Sequence, residues 1–187
     1  MSTTPRQPPE VDKRETYYKE RIRKHSSYDE FHRPSVELLL NLIYTYDVVE
    51  TRISRVLGEH CLSLSGFNIL MILNSVKPAG RQLHELGELL LVSRANVTGL
   101  VDSLEQKGLV ERGPDKNDRR VRIARITDPG VELLDSMLSS YYKEVRGMFC
   151  GFSNNDKADL SELLARLRTT IQKSLSEKDP LQGKKGK

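Results

Sequence analysis

Two adjacent arginines, Arg119 and Arg120, follow the turn-forming run Pro114-Asp115-Lys116-Asn117-Asp118, which sets two guanidinium groups at the tip of a loop rather than over a packed face. A fixed positive charge on a protruding tip suits the narrow minor groove of DNA, where the negative potential attracts arginine. A charge-rich loop standing alone is more simply a solvated one, so the meaning of this tip depends on its neighbours. Upstream, Ser93 precedes a stripe of Val97, Leu100, Val101 and Leu104 at helical spacing and reads as the helix N-cap. With that stripe turned inward, the opposite face carries Ala95, Gly99, Asp102 and Gln106, flanked by Asn96 and Thr98. Small residues beside an amide and a hydroxyl are what a helix needs to come close to base edges in a major groove. Glycine inside an exposed helix costs about 1 kcal/mol relative to alanine. Gly99 is therefore either a tolerated defect or the place where another molecule must approach the backbone.

Other chemistry finds little support. There is no G-x-S-x-G, no Walker A pattern and no H-E-x-x-H, so neither catalysis nor a cofactor is indicated. Cys61 and Cys150 lie far apart without CxxC or Cys/His ligand spacing, which argues against a disulfide framework and against a zinc finger. His60 beside Cys61 is weak support for a lowered thiol pKa or for a metal, and both thiols are read as buried or inert. A thiol-based redox regulator stays as an alternative. The start of the chain lacks an apolar signal region, and no stretch approaches the about 18 apolar residues of a membrane span, so the expectation is a cytoplasmic protein with no membrane association.

The elements that must position these residues can be read from composition and periodicity. The chain has 187 residues, 37% of them hydrophobic and only 6% aromatic, with no tryptophan, which suits a helix-rich protein with an aliphatic core. Net charge is +4, and residues 111–125 carry six cations against Glu111, Asp115 and Asp118, a local excess of +3. Pro34 and Ser35 open a long helix with Leu39, Leu42, Ile43, Tyr46, Val49, Ile53, Val56 and Leu57 on one side, closing at Gly58. Ser65 signals a second helix through Phe67, Ile69, Leu70, Ile72 and Leu73, which ends before Pro78-Ala79-Gly80. A short helix with Leu83, Leu86, Leu89 and Leu90 follows, then the helix capped by Ser93, which Lys107-Gly108 terminates. Leu109 to Arg112 and Val121 to Ile126 read as strands of a hairpin, with alternation imperfect at Ala124. Asp128 as cap and Pro129 at the first helical position start another helix, and Ser153-x-x-Asp156 forms a capping box before Leu160, Leu163, Leu164, Leu167, Ile171 and Leu175.

The fold class is thus mainly α with a small β-hairpin wing: a winged helix-turn-helix joined to a helical dimerisation region built from N- and C-terminal helices. Its divisions are an N-terminal extension over 1–33, partly disordered; dimerisation segments over 34–62 and 128–176; a DNA-binding domain over 63–127; and a basic tail over 177–187. A winged-helix module that binds proteins instead of DNA keeps the same fold, and the arginines at 119 and 120 argue against it.

Leu91-Val92-Ser93-Arg94-Ala95-Asn96-Val97-Thr98-Gly99-Leu100-Val101-Asp102, then Lys107-Gly108-Leu109-Val110, Asp115-Lys116-Asn117-Asp118-Arg119-Arg120 and Ile126-Thr127 together resemble the multiple antibiotic resistance regulator (MarR) family. The resemblance is sharpest from Leu83 to Gly130 and does not extend over residues 1–33. It implies a homodimer that binds a double-stranded, pseudopalindromic DNA operator and represses transcription. It also implies that Asp118 orients Arg120 in the minor groove, and that Ser93, Arg94, Asn96 and Thr98 contact bases or phosphates. The basic residue frequent in the family at the position of Gly99 is absent. Many members release DNA when a small aromatic or phenolic effector enters a cleft between the dimer helices and the winged lobe. Tyr44, Tyr46, His60 and Phe67 fall on elements lining such a cleft, and at helical spacing they read as packing residues.

Overall fold

The computed structural model describes residues 13–25, 28, 31–90, 94–114 and 122–178. Among the described residues, seven helices and three strands follow in the order α1 (Lys13–His25), α2 (Arg33–Gly58), α3 (Leu64–Ser75), β1 (Arg81–Gln82), α4 (Leu83–Leu90), α5 (Arg94–Gln106), β2 (Val110–Pro114), β3 (Arg122–Ile126), α6 (Asp128–Met148) and α7 (Asn154–Lys178). The chain divides into two compact units, Met1–Glu144 and Val145–Lys187, the boundary falling within α6.

In the first unit, Pro34 lies in the first turn of α2, where a missing N–H costs nothing. Leu40, Ile53, Val56 and Leu57 are its buried residues. The helix ends at Gly58 as expected, yet the left-handed residue that closes it is Cys61, at φ 54°. Leu62 N–H donates to the Leu57 carbonyl at 3.1 Å and Cys61 N–H to the Gly58 carbonyl at 3.0 Å, the paired bonds of a Schellman motif. This turn delivers Ser63, and not the expected Ser65, to the cap of α3: its hydroxyl accepts from Gly66 N–H at 3.1 Å. Phe67, Ile69, Leu70 and Leu73 of α3 are buried and form the centre of the core with Leu57, Leu86, Val97, Val101 and Leu134.

The expected hairpin supplies two strands of a three-stranded antiparallel sheet in the order β1-β3-β2. Val110 pairs with Ile126 and Pro114 with Arg122, while Arg81 and Gln82 pair with Ala124 and Ile123. The extra strand is only two residues long and carries no apolar alternation, so no pattern announces it. It accounts for the broken alternation at Ala124: β3 is central, and Gly80, at φ 79°, brings its backbone against the Ala124 carbonyl so closely that a Cβ there would overlap it. Leu89 of α4 is 58% exposed.

Thr127, not Asp128, caps α6. Its hydroxyl accepts from Gly130 N–H at 3.2 Å and donates to the Gly108 carbonyl at 2.7 Å. Asp128 is left on the surface, ion-paired with Lys77 at 2.8 Å, and that ammonium holds its carboxyl below the usual range. Phe67 and Tyr141 stack with centroids 4.7 Å apart, and burial raises the Tyr141 phenol.

The second unit contains the end of α6 and all of α7. The capping box at its start is present: Ser153 hydroxyl and N–H both donate to Asp156, at 2.6 and 2.8 Å, and Asp156 N–H returns a bond to the hydroxyl at 3.1 Å. These bonds hold the Asp156 carboxyl below its usual range. The stripe along α7 faces solvent in the single chain, with Leu163 51%, Ile171 50% and Leu175 64% exposed. Val145, Phe149, Phe152, Leu160 and Leu164 line a groove of about 410 Å³ in this unit. Among the described residues no helix is long and apolar enough to cross a membrane.

Candidate nucleic-acid interface

Helix α5 has the expected two faces. Val97, Val101 and Leu104 are buried, Leu100 is half-buried, and Asn96, Thr98 and Gly99 are exposed. Around Gly99 a Cβ would meet nothing within 4 Å, so the glycine is not demanded by packing inside the chain. Arg94 supplies the first helical residue. Ser93, Asp118, Arg119 and Arg120 lie outside the described residues, as do the expected cap at Ser93 and the loop tip itself. Of the seven expected contact residues, the structure therefore shows Asn96 and Thr98 exposed on α5, flanking the face that carries Gly99, with β2 of the wing beside that helix.

The far end of α5 is tied down at two places. Gly108, at φ 71°, closes a Schellman motif in which Leu109 N–H reaches the Leu104 carbonyl at 3.0 Å. Next to it, Lys107 Nζ donates to the Cys61 carbonyl at 2.6 Å, joining the C-terminus of α5 to that of α2. The Thr127 bond to Gly108 adds α6 to the same junction.

The residue that sequence reading missed is Arg112. It was counted as one cation of the basic segment, but from β2 it turns onto α5. Its Nη1 pairs with Asp102 and lies 3.7 Å from Glu105, and its Nη2 donates to the Thr98 carbonyl at 3.0 Å. Its own N–H donates to Glu105 Oε1 at 3.0 Å. A signal for this contact did exist: Asp102 falls on the face expected to approach DNA, where a bare carboxylate would repel phosphates and a cationic partner is called for. Both cysteines are exposed, so of the expected buried or inert thiols neither is buried. Cys61 sits past the end of α2 and Cys150 past the end of α6. Among the described residues no group of three or more His, Cys, Asp or Glu could hold a metal. Of the candidate cleft residues, Phe67 is buried, Tyr44 and His60 are half-buried, and Tyr46 is exposed.

A capped hydrophobic core helix, a short helix, an exposed polar helix and a hairpin wing in that order coincide with the MarR family's sequence profile, which matches residues 62–121. Over these residues the chain carries a MarR family segment. The chain is 28% identical over 133 residues to the transcriptional regulator MhqR of Bacillus subtilis, an alignment spanning 71% of this chain and 90% of that one. In structure it is similar to Sco3205, a MarR family transcriptional regulator from Streptomyces coelicolor in complex with DNA, at TM-score 0.71 and 20% identity, covering 78% of this chain and 93% of that one. CouR from Rhodococcus jostii RHA1, bound to p-coumaroyl-CoA, gives TM-score 0.60 and 22% identity over 78% of this chain and 94% of its own. At these identities the two structures speak to the fold, a winged helix-turn-helix with its small three-stranded sheet.

Proposed function

We propose that this DNA-binding transcription regulator acts in the cytoplasm as a homodimeric repressor of a pseudopalindromic operator, rather than as an enzyme, with α5 in the major groove and the β2–β3 wing in the adjacent minor groove. The observation that carries the reading is the exposed face of Asn96, Thr98 and Gly99 on a helix fixed beside a basic hairpin. In the division of labour proposed here, 63–127 reads DNA while 34–62 and 128–176 dimerise, and Ser93, Arg94, Asp118, Arg119 and Arg120 complete the contact set. Exposed Leu38, Leu39, Ile43 and Tyr46 on α2, with the α7 stripe, support dimerisation, because a lone chain leaves that apolar surface wet. The complex of CouR with p-coumaroyl-CoA supports a small aromatic effector as the release signal.

The wing and helix are expected to fail in different ways. Arg120→Ala should weaken binding to specific and scrambled duplexes alike. It should also flatten the dependence of log K on log salt, by about 0.9 for each lost phosphate contact and twice that in a dimer. Asn96→Ala removes a base-edge contact, which discriminates by about 1–3 kcal/mol, and so should lower operator affinity while leaving nonspecific binding and the salt slope nearly unchanged. Titrating both variants over a salt series decides the matter. If both are silent, the DNA-binding reading gives way to a protein-binding module. Repeating the titration with phenols and aromatic acids tests the effector, and an operator affinity that none of them changes removes that part of the proposal.

A further inference from the structure

We infer that Arg112 is a positioning residue for operator recognition: a strut that sets the wing against the recognition helix and takes no phosphate itself. The inference rests on the DNA-binding reading above and goes beyond it in assigning a basic wing residue a role other than DNA contact. Three groups of α5 converge on one guanidinium. Asp102 and Glu105 supply carboxylates one helical turn apart, and the Thr98 carbonyl supplies a third acceptor one turn before Asp102. The Arg112 side chain is only 21% exposed, and its Nε is buried without an acceptor, so the group is directed into the lobe and not toward a ligand outside it. Glu105 grips Arg112 twice, since its other oxygen accepts the Arg112 backbone N–H at 3.0 Å. The strand and the helix are thereby fixed in both position and rotation.

The chemistry of the fork explains why this residue must be arginine. Donors in a rigid planar arrangement can hold two carboxylates and a carbonyl at once, whereas a lysine ammonium is a single point charge on a flexible stem. Neutralisation by Arg112 also makes Asp102 acceptable on a helix face that approaches phosphates. Since Thr98 is one of the residues placed to read bases, the bond to its carbonyl fixes the backbone of the reading position itself.

The test uses the full-length protein and two duplexes: one enriched by the wild-type protein from a randomised pool, and a poly(dI-dC) competitor. Enrichment of no duplex by the wild type would sink the DNA-binding reading before Arg112 is in question. Given an enriched duplex, Arg112→Lys keeps the charge and should bind it about 10-fold or more weakly, a loss the size of one good base contact. Binding to poly(dI-dC) and the salt slope should stay as in wild type. Asp102→Ala provides a test of sign. It removes a negative charge from the DNA-facing helix at a site 46% exposed, so electrostatics alone predicts tighter binding to both duplexes. The strut predicts weaker binding to the enriched duplex with poly(dI-dC) binding unchanged or tighter. Far-UV circular dichroism and the thermal midpoint verify the fold of each variant, and if Arg112→Lys does not fold the Asp102→Ala arm decides. Retention of operator affinity by Arg112→Lys within about twofold, or tightening of both duplexes by Asp102→Ala, overturns the inference.

Discussion

A methyl group added at Gly99 would meet open space, so the cost of this glycine to the helix is not repaid by packing within the chain. Gly99→Ala should therefore stabilise the protein by about 1 kcal/mol, a rise of about 2–4 °C in Tm for a chain of this size. If the helix backbone approaches DNA at this point, the same variant should lose operator affinity about fivefold, since the added methyl occupies the space of closest approach. Thermal unfolding and operator titration of one protein measure both, and unchanged affinity would reduce Gly99 to a tolerated defect. The buried side of α5 was legible because Val97, Val101 and Leu104 recur at the helical period. Arg112 was not legible as a strut, because its partners lie seven to fourteen residues away on another element, and charge counting treats every arginine in a basic run alike.

Caps show how far local patterns carry at the scale of elements. Ser153 and Asp156 satisfy each other reciprocally, and nothing distant competes, so the box was legible from four residues. At α3 and α6 the same reasoning picked a neighbour of the true cap. The turn through Cys61, just before the helix, sets Ser63, whereas a distant backbone, the Leu109 carbonyl that accepts Thr127 N–H at 3.1 Å, sets Thr127. Gly130 reinforces the second choice, since a Cβ there would overlap the Leu109 carbonyl. The two-residue β1 escaped notice because it exists only through its pairing with β3. The Asp156 box also yields a pH dependence. Its carboxyl is held below the unfolded value of about 3.9, so its contribution is present above that pH and is lost as pH falls through the lowered folded value. Asp156→Asn should accordingly lower the thermal midpoint at neutral pH, with the gap from wild type closing in acid. Far-UV circular dichroism melts at neutral pH and at about pH 3 would show it, and a gap independent of pH would assign the effect to something other than the carboxylate.

For the whole molecule, α2 and α7 each leave large apolar residues in water. Leu38, Leu39, Ile43 and Tyr46 are each 45% exposed or more, and so are Leu163, Ile171 and Leu175. Sequence periodicity marked most of these residues as inward-facing, and within one chain many are not, because periodicity reports that a face must be covered without saying by which molecule. Deleting the chain from Ser153 onward should give monomeric or aggregated protein in sedimentation velocity. A truncated chain that sediments as a well-folded dimer would remove α7 from the interface.

The Lys107 bond to the Cys61 carbonyl gives the long helix a mechanical meaning. With 26 residues at a rise of 1.5 Å, α2 is a rod about 39 Å long, so each degree of swing about its remote end carries the tip through about 0.7 Å. The load on that tip is the C-terminus of α5, the helix proposed to read DNA, and the bond is made to a main-chain oxygen. A second copy gripping the remote half would serve as the fulcrum. In the proposed dimer, a rotation between the two copies would become, multiplied along the rod, a change in the distance between the two α5 helices.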